Sequence, residues 1–515
     1  MPSLAEQLEH SRRELEVLNG RLEQIERARN ERITLLEEEN RWLKQQLFGR
    51  SSEKRPAEDI SPDQAKLLFN EAEALAAFAK TAPETVRIPE HERKKRGRKA
   101  IPAELPRIEV VHDLPEAEKV CPHDGTTLER IGEETAEQLD YVPAQLRVIR
   151  HVRPKYACPC CREGVKIAPA SAQLLPKSKA SAGLLAHITT AKYVDGLPLH
   201  RQERQFGRLG IELARATMAS WMIKLGGTYV LPIVNLLADL LLDAPLIHMD
   251  ETRVQVLRSA KAPTADHWMW VRCAGPPGRR IVLFDYDPSR GGQVPKRLLA
   301  GYEGILLTDG YEAYAATAGA SGMLHAGCWA HLRRKLEDAR KMAHGESAAR
   351  AALDHIGRLY RIERQLRERS ADAEAILDTR RRESALIVAQ LHGWLNEMAG
   401  QVLPQSALGK AIHYGLGQWP KLTVFLEHAE VPLDNNRCEN AIRPFVVGRK
   451  AWLFSDTPSG AAASANLYSL VETAKANGIE PHAYLTHAYT KLPTAHALED
   501  FEALLPWNVK SALIS

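Results

Sequence analysis

The sequence predicts an α/β core on a mixed sheet, interrupted by a helical insertion and preceded by smaller N-terminal modules. Three observations predict it. Short segments rich in β-branched and aromatic residues follow one another at Ile247–Val256, His267–Arg272 and Arg280–Asp285, each bounded by turn-forming residues. A helix then crosses over to a fourth strand, Gly304–Thr308, which runs directly into Asp309. From about residue 325 to 430 the pattern becomes helical, with Ile356, Leu359, Ile362 and Leu366 forming one apolar stripe. Three neighbouring strands, a crossover and a fourth strand ending in Asp fit a ribonuclease-H-like core.

The chain has 515 residues, 26% charged and 44% hydrophobic, with a net charge of +4. That length accommodates several domains, and the small net charge excludes a uniformly basic polycation. The basic residues are concentrated locally instead. No stretch reaches the apolar length of a membrane span, and the N-terminus lacks a basic-then-apolar leader. Seven cysteines, three of them in Cys158-Pro-Cys160-Cys161, do not resemble a disulfide framework. A cytoplasmic protein with no membrane partner is expected.

Eight segments follow in order. Residues 1–50 predict a leucine-zipper coiled coil. Leu4, Leu8, Leu15, Leu18, Leu22 and Ile25 alternate three- and four-residue steps, the pattern slips near Arg29, and Ile33, Leu36, Asn40, Leu43 and Leu47 resume it. The charged flanks favour pairing between chains over packing within one. Residues 51–105 form a linker ending in a basic arm, where Arg96, Arg98 and Lys99 suit a DNA minor groove. Residues 106–176 predict a zinc-finger-like DNA-binding module. Cys158 and Cys161 supply one half of a zinc site, and Cys121 with His123 or Asp124 supplies the other. Alternation over Gln145–Pro154 predicts a strand there.

Residues 177–240 are helical. A helix, a glycine turn at Gly210 and a second helix fit a helix-turn-helix, with Arg201, Arg204 and Arg215 as DNA contacts. Residues 241–330 hold the first part of the core, 331–430 a helical insertion, 431–475 the second part of the core and 476–515 a C-terminal helical region.

Three carboxylates stand where divalent cations would bind. Asp250 and Asp309 each follow a short apolar strand. Glu439 falls on a short helix that Asp434 caps and Pro444 ends. Two strand-end carboxylates and one helix carboxylate suit two Mg²⁺ or Mn²⁺ ions over a phosphodiester. Asn435, Asn436 and Asn440 surround Glu439, and Arg443, Arg449 and Lys450 are candidate phosphate contacts. Trp452 is expected in the core. Cys328 and His331 lie one helical turn apart and are expected on a buried helix face beside the active site, since no second pair of ligands is visible.

At this point the chain resembles the transposases of the insertion sequence 66 family. The matching segments are Leu47-Phe-Gly-Arg-Ser-Ser-Glu-Lys54, Tyr156-Ala-Cys158, Leu199-His-Arg-Gln-Glu203, His248-Met-Asp-Glu-Thr252, Cys328-Trp-Ala-His331, Asn435-Asn-Arg-Cys-Glu439, Gly448-Arg-Lys450 and Leu470-Val-Glu-Thr-Ala-Lys475. The resemblance implies an acidic-triad DNA transposase with Asp250, Asp309 and Glu439 as metal ligands, acting on terminal inverted repeats and target DNA. It also implies that other proteins of the same element assist. Asp124 stands where a cysteine is more usual, which leaves the fourth zinc ligand open. The competing expectation is a zinc-containing, dimeric DNA-binding regulator without catalysis.

Overall fold

The computed structural model describes residues 146–156, 166–343 and 347–514, with scattered helical positions between 18 and 37. The chain divides into two compact units, Asn70–Pro154 and the remainder. In the first, residues 146–154 carry no strand, which overturns the expectation for that segment. Val148 and Val152 are 91% and 74% exposed, so among the described residues the alternation meets no surface on which to bury an apolar face.

In the second unit, a two-residue hairpin pairs β1 (Lys155–Tyr156) with β2 (Lys166–Ile167). Four helices follow: α1 (Ala182–Tyr193), α2 (Leu199–Arg208), α3 (Arg215–Lys224) and α4 (Leu231–Leu242). Gly210, at φ +81°, lies in the turn between α2 and α3, a backbone region that glycine enters without steric cost. Arg201, Arg204 and Arg215 are all exposed on this pair. Among the described residues no single helix is long and apolar enough to cross a membrane.

The central sheet comprises β3 (Leu246–Gln255), β4 (Asp266–Ala274), β5 (Ile281–Asp287), β6 (Ile305–Thr308) and β7 (Leu324–Gly327), in the order β5-β4-β3-β6-β7. The first three form an antiparallel meander, and β6 and β7 add in parallel beside β3. Helices α5 (Gln293–Leu298) and α6 (Glu312–Ser321) make the crossovers. The fifth strand is an addition to the expected four. Its sequence, Leu-His-Ala-Gly, has too little alternation to announce it.

Helices α7 (Trp329–Ala343), α8 (Ala349–Glu368), α9 (Ala373–Thr379), α10 (Ala385–Ala399) and α11 (Ala407–Leu422) come next. They build their own core from Leu332, Leu336, Ile356, Leu359, Leu391 and Leu395, against Ile305, Leu307 and Ala326 of the parallel strands. Buried Arg380 closes this block: it holds the Glu363 carboxylate at 2.7 Å and donates to the carbonyls of Phe425, His428 and Val431.

The chain then returns to the sheet through α12 (Asn436–Trp452) and α13 (Pro458–Ala476), and finishes with α14 (Pro481–Lys491), α15 (Leu498–Glu502) and α16 (Pro506–Ile514). Helix α13 covers the edge strand β5 with side chains at four-residue steps. Ser469 accepts from the Phe284 amide at 2.8 Å. Thr473 accepts from the Val282 amide at 3.1 Å and returns a bond to its carbonyl. Asn477 does the same at Arg280. Four helical residues rise about 6 Å and two strand residues about 6.6 Å, so the two rows stay in step. The edge that would otherwise recruit another strand is thereby satisfied.

Candidate active site

Asp250 lies in the middle of β3, which corrects its expected place at a strand end. The apolar run does stop there, yet β3 continues to Gln255 because Glu251–Gln255 still pair with β4. The parallel partner β6 is shorter. Its register sets His248 against Leu307, and two residues further on Asp250 stands level with Asp309, just beyond β6. Neighbouring strands lie about 4.8 Å apart. Asp309 folds back into a tight turn, its carboxylate accepting from the Tyr311 amide at 2.9 Å. Gly310 allows a close approach in that turn: a Cβ there would lie 2.6 Å from the Tyr414 ring of α11, which would have to shift.

Glu439 enters from the first turn of α12 and is 6% exposed. Asp434 accepts from the Asn436 amide at 3.2 Å, at the helix start. The expected end at Pro444 is overturned. The helix runs on to Trp452 with Pro444 inside it, since buried Ile442, Phe445 and Val446 hold the second half against the core. Trp452 is half-buried and packs edge-on against Phe445.

Both ends of α12 are fixed to the strand that carries Asp250. At the N-terminal end, the fully buried Asn435 donates from Nδ2 to the Met249 carbonyl at 2.9 Å, and its Oδ1 lies 3.0 Å from His248 Nδ1. With the amide nitrogen engaged, the oxygen faces His248, whose Nδ1 donates. Burial pushes the His248 imidazole down to about 4, so it is neutral. At the C-terminal end, the Phe454 amide bonds the Trp452 carbonyl at 2.9 Å around Leu453, at φ +66°. That γ-turn reverses the chain, so that Ser455 bridges Val256. Arg449, expected at phosphate, donates to the Arg253 carbonyl of β3. Arg443 and Lys450 are exposed. With Glu439 they occupy one face of α12 at steps of four and seven residues.

The electrostatics follow from this convergence. Burial, then the neighbouring Glu251, Asp309 and Glu439, push the Asp250 carboxyl well above its ordinary range. Glu251, on the opposite face of β3, is raised by burial and by Asp309. Arg290 at 2.7 Å and the Tyr314 hydroxyl hold it from the other side. Arg290 in turn lies over the rings of Tyr311 and Trp268, at 4.1 and 4.7 Å. Glu439 faces two residues of α7, with His331 Nδ1 at 3.9 Å and Arg334 at 3.6 Å. Its Oε1 is buried and makes no hydrogen bond. A buried Asp250 repelled by its acidic neighbours, with a buried Glu439 oxygen that makes no hydrogen bond, fits a divalent cation held by hard oxygen donors.

Cys328 and His331 lie beside Glu439, which gives them a third possible ligand although no second pair was visible in the sequence. Their ligand atoms and a Glu439 oxygen lie within 4.8 Å of one another. Glu251, Arg290 and Arg334 were not foreseen, whereas the place of His331 beside the site was. The Glu next to Asp250 was visible in the sequence, and its burial was not. Arg96, Arg98, Lys99, Cys121, His123, Asp124, Cys158 and Cys161 lie outside the described residues.

Four family models match this chain. Residues 177–463 match "Transposase IS66 family" and residues 118–162 the "zinc-finger binding domain of transposase IS66". Residues 35–110 match "Transposase C of IS166 homeodomain" and residues 469–507 the "IS66 C-terminal element". Similar proteins of Sinorhizobium fredii include the uncharacterized proteins y4qI and y4hP. The first is 34% identical over 95% of this chain and 92% of its own length, the second 30% identical over 93% and 89%. Matched from its N-terminal modules to its C-terminal helices, the chain belongs to the IS66 family of transposases.

Proposed function

We propose that this chain binds the ends of an insertion sequence and catalyses strand cleavage and strand transfer through Asp250, Asp309 and Glu439. The observation that carries this reading is that Asp250 of β3 stands beside Asp309 at the end of β6 and Glu439 in the first turn of α12, which add to burial and Glu251 in raising its carboxyl. The sheet order, an antiparallel meander followed by two parallel strands, supports a ribonuclease-H-like core. Two Mg²⁺ or Mn²⁺ ions, when bound, would polarise the attacking oxygen and offset charge on the leaving 3′ oxygen.

The protein's own part is to hold, orient and neutralise. Asp250 and Asp309 come from adjacent strands and present fixed oxygens to cations. Glu439 closes the set from the helix that Asn435 locks to β3. Arg443 and Lys450 continue the Glu439 face of α12, about 6 and 16 Å further along the helix axis, where they contact backbone phosphates. Arg201, Arg204 and Arg215 on the α2–α3 pair, with Arg96, Arg98 and Lys99 of the basic arm, bind the element end beyond the cleavage site. The 118–162 match supports a structural zinc held by Cys158 and Cys161, with Cys121 and His123 or Asp124. Self-association through the N-terminal coiled coil, help from other proteins of the element and a cytoplasmic location complete the proposal.

Incubating the protein with labelled element-end DNA and Mg²⁺ tests it. Strand-transfer products support the transposase. Cuts without joining support a nuclease, and binding alone supports a DNA-binding regulator.

A further inference from the structure

We propose that Cys328, His331 and Glu439 form a second, soft-metal site that takes Zn²⁺, and that zinc bound there withdraws Glu439 from Asp250 and Asp309 and so inhibits the enzyme. The inhibition rests on the active-site reading above; the binding does not.

A thiol, an imidazole and a carboxylate make a donor set that suits zinc, whereas Mg²⁺ takes oxygen ligands. The three ligand atoms lie within 4.8 Å of one another, and His331 Nδ1 to Glu439 Oε1 is 3.9 Å. Zinc bonds of about 2.0–2.3 Å place tetrahedral donors about 3.3–3.8 Å apart, so side-chain rotations closing about 1 Å complete the set. The backbone favours that closure. Cys328 immediately precedes α7 and His331 lies in its first turn, so both side chains leave on the same side.

Two observations point to a cation in particular. Glu439 Oε1 is buried without a hydrogen bond, on the side facing His331. Cys328 Sγ receives two backbone amides, Asn435 at 3.3 Å and His331, and amides aimed at sulfur are typical of metal–cysteine surroundings. Binding would release the Cys328 thiol proton to solvent, with no change of oxidation state. Three protein donors leave a fourth position for water.

The test uses the full chain, equilibrated with micromolar Zn²⁺ and freed of unbound metal by gel filtration. Zinc per chain is counted for wild type, Cys328→Ser, His331→Gln and Cys158→Ser. The expected result is one zinc fewer in Cys328→Ser and in His331→Gln, with a separate, additive loss in Cys158→Ser. Equal zinc in wild type, Cys328→Ser and His331→Gln overturns the site. If Cys328→Ser does not fold, the count for His331→Gln decides alone. In cleavage assays with Mg²⁺, Cys328→Ser should need at least tenfold more Zn²⁺ for half-inhibition. An unchanged inhibitory concentration with one zinc lost overturns the withdrawal of Glu439. Should Asp250→Asn still cleave, the active-site reading fails while the zinc count stands.

Discussion

The side-chain amide of Asn435 donates to the backbone carbonyl of Met249, at 2.9 Å and fully buried, and so ties the helix of Glu439 to the strand of Asp250. The same side chain meets His248, and the Asn435 amide meets Cys328. One residue therefore sets the spacing between two of the three carboxylates. The other end of α12 is tied to β3 at Val256 and Ser455. Nine strand residues from His248 to Val256 span about 26 Å, and the 17 residues of α12 span about 25 Å. The helix is thus matched in length to the strand on which it is fixed.

Asn435→Ala should destabilise the protein by about 2–3 kcal/mol, because it strands the buried Met249 carbonyl and the His248 imidazole. It should also raise the Mg²⁺ concentration that half-saturates cleavage, since Glu439 loses its fixed distance from Asp250. Thermal melts measure the first effect and a Mg²⁺ titration of cleavage the second. A normal metal titration in a destabilised variant would confine Asn435 to a structural role.

Asp250→Asn should abolish cleavage by several orders of magnitude while leaving binding of the element end intact. Without metal, the same variant should melt higher than wild type, because neutralising one of several neighbouring carboxylates relieves repulsion between buried like charges. Mn²⁺ should then raise the melting temperature of wild type and not that of the variant. A variant that still gains stability from Mn²⁺ would place the cation elsewhere.

Acid should weaken the fold through His325. Burial pushes its imidazole down to about 3, and its Nε2 lies 2.8 Å from the Thr308 hydroxyl, next to Asp309. The folded protein keeps this group neutral while the unfolded chain protonates it below about pH 6.5. More protons are bound unfolded, so stability rises with pH across this window and is lost on acidification. Between pH 7 and pH 5 His325 should contribute up to about 2 kcal/mol of that loss. Denaturant titrations of wild type and His325→Gln at the two pH values give the difference directly. An equal loss in both proteins would show that His325 does not carry it.

The candidate site was legible where chemistry followed a local pattern. Asp309 was marked by the apolar run Ile305–Leu307 feeding a turn. The stretch Ile247–Val256 anticipated β3 to within a residue at each end, while the strand-end place of Asp250 and the end of α12 at Pro444 were misread because tertiary pairing overrode local signals. Beyond Asp250, the pairing with β4 holds polar Thr252 and Arg253 in the strand. Past Pro444, packing of Phe445 offsets the missing amide. The approach of His331 and Arg334 to Glu439 joins side chains about a hundred positions apart in the chain, which periodicity does not encode. The row Ser469, Thr473, Asn477 has a four-residue step that carries no signal of its own. Its target, the edge of β5, became visible only with the sheet order.

Deleting residues 1–47 should turn an oligomer into a smaller species and abolish paired-end reactions before it abolishes single-end binding. Among the described positions of that segment, Leu18, Leu22, Ile33 and Leu36 are helical and 58%, 59%, 43% and 48% exposed. These are seam positions of the expected coiled coil, and such a row of exposed apolar side chains gains most by pairing with a second copy. Joining two protomers also raises the effective concentration of one element end at the other. Losing the zipper should therefore harm synapsis far more than affinity for one end. The basic arm, the cysteine module and the α2–α3 pair remain in the truncated chain, so its binding should stay strongly salt-dependent. Light scattering gives the mass, and a gel shift with two labelled ends of different length separates single-end from paired-end complexes. An unchanged mass with normal paired-end complexes would mean that residues 1–47 pack within their own chain and that another surface joins the protomers.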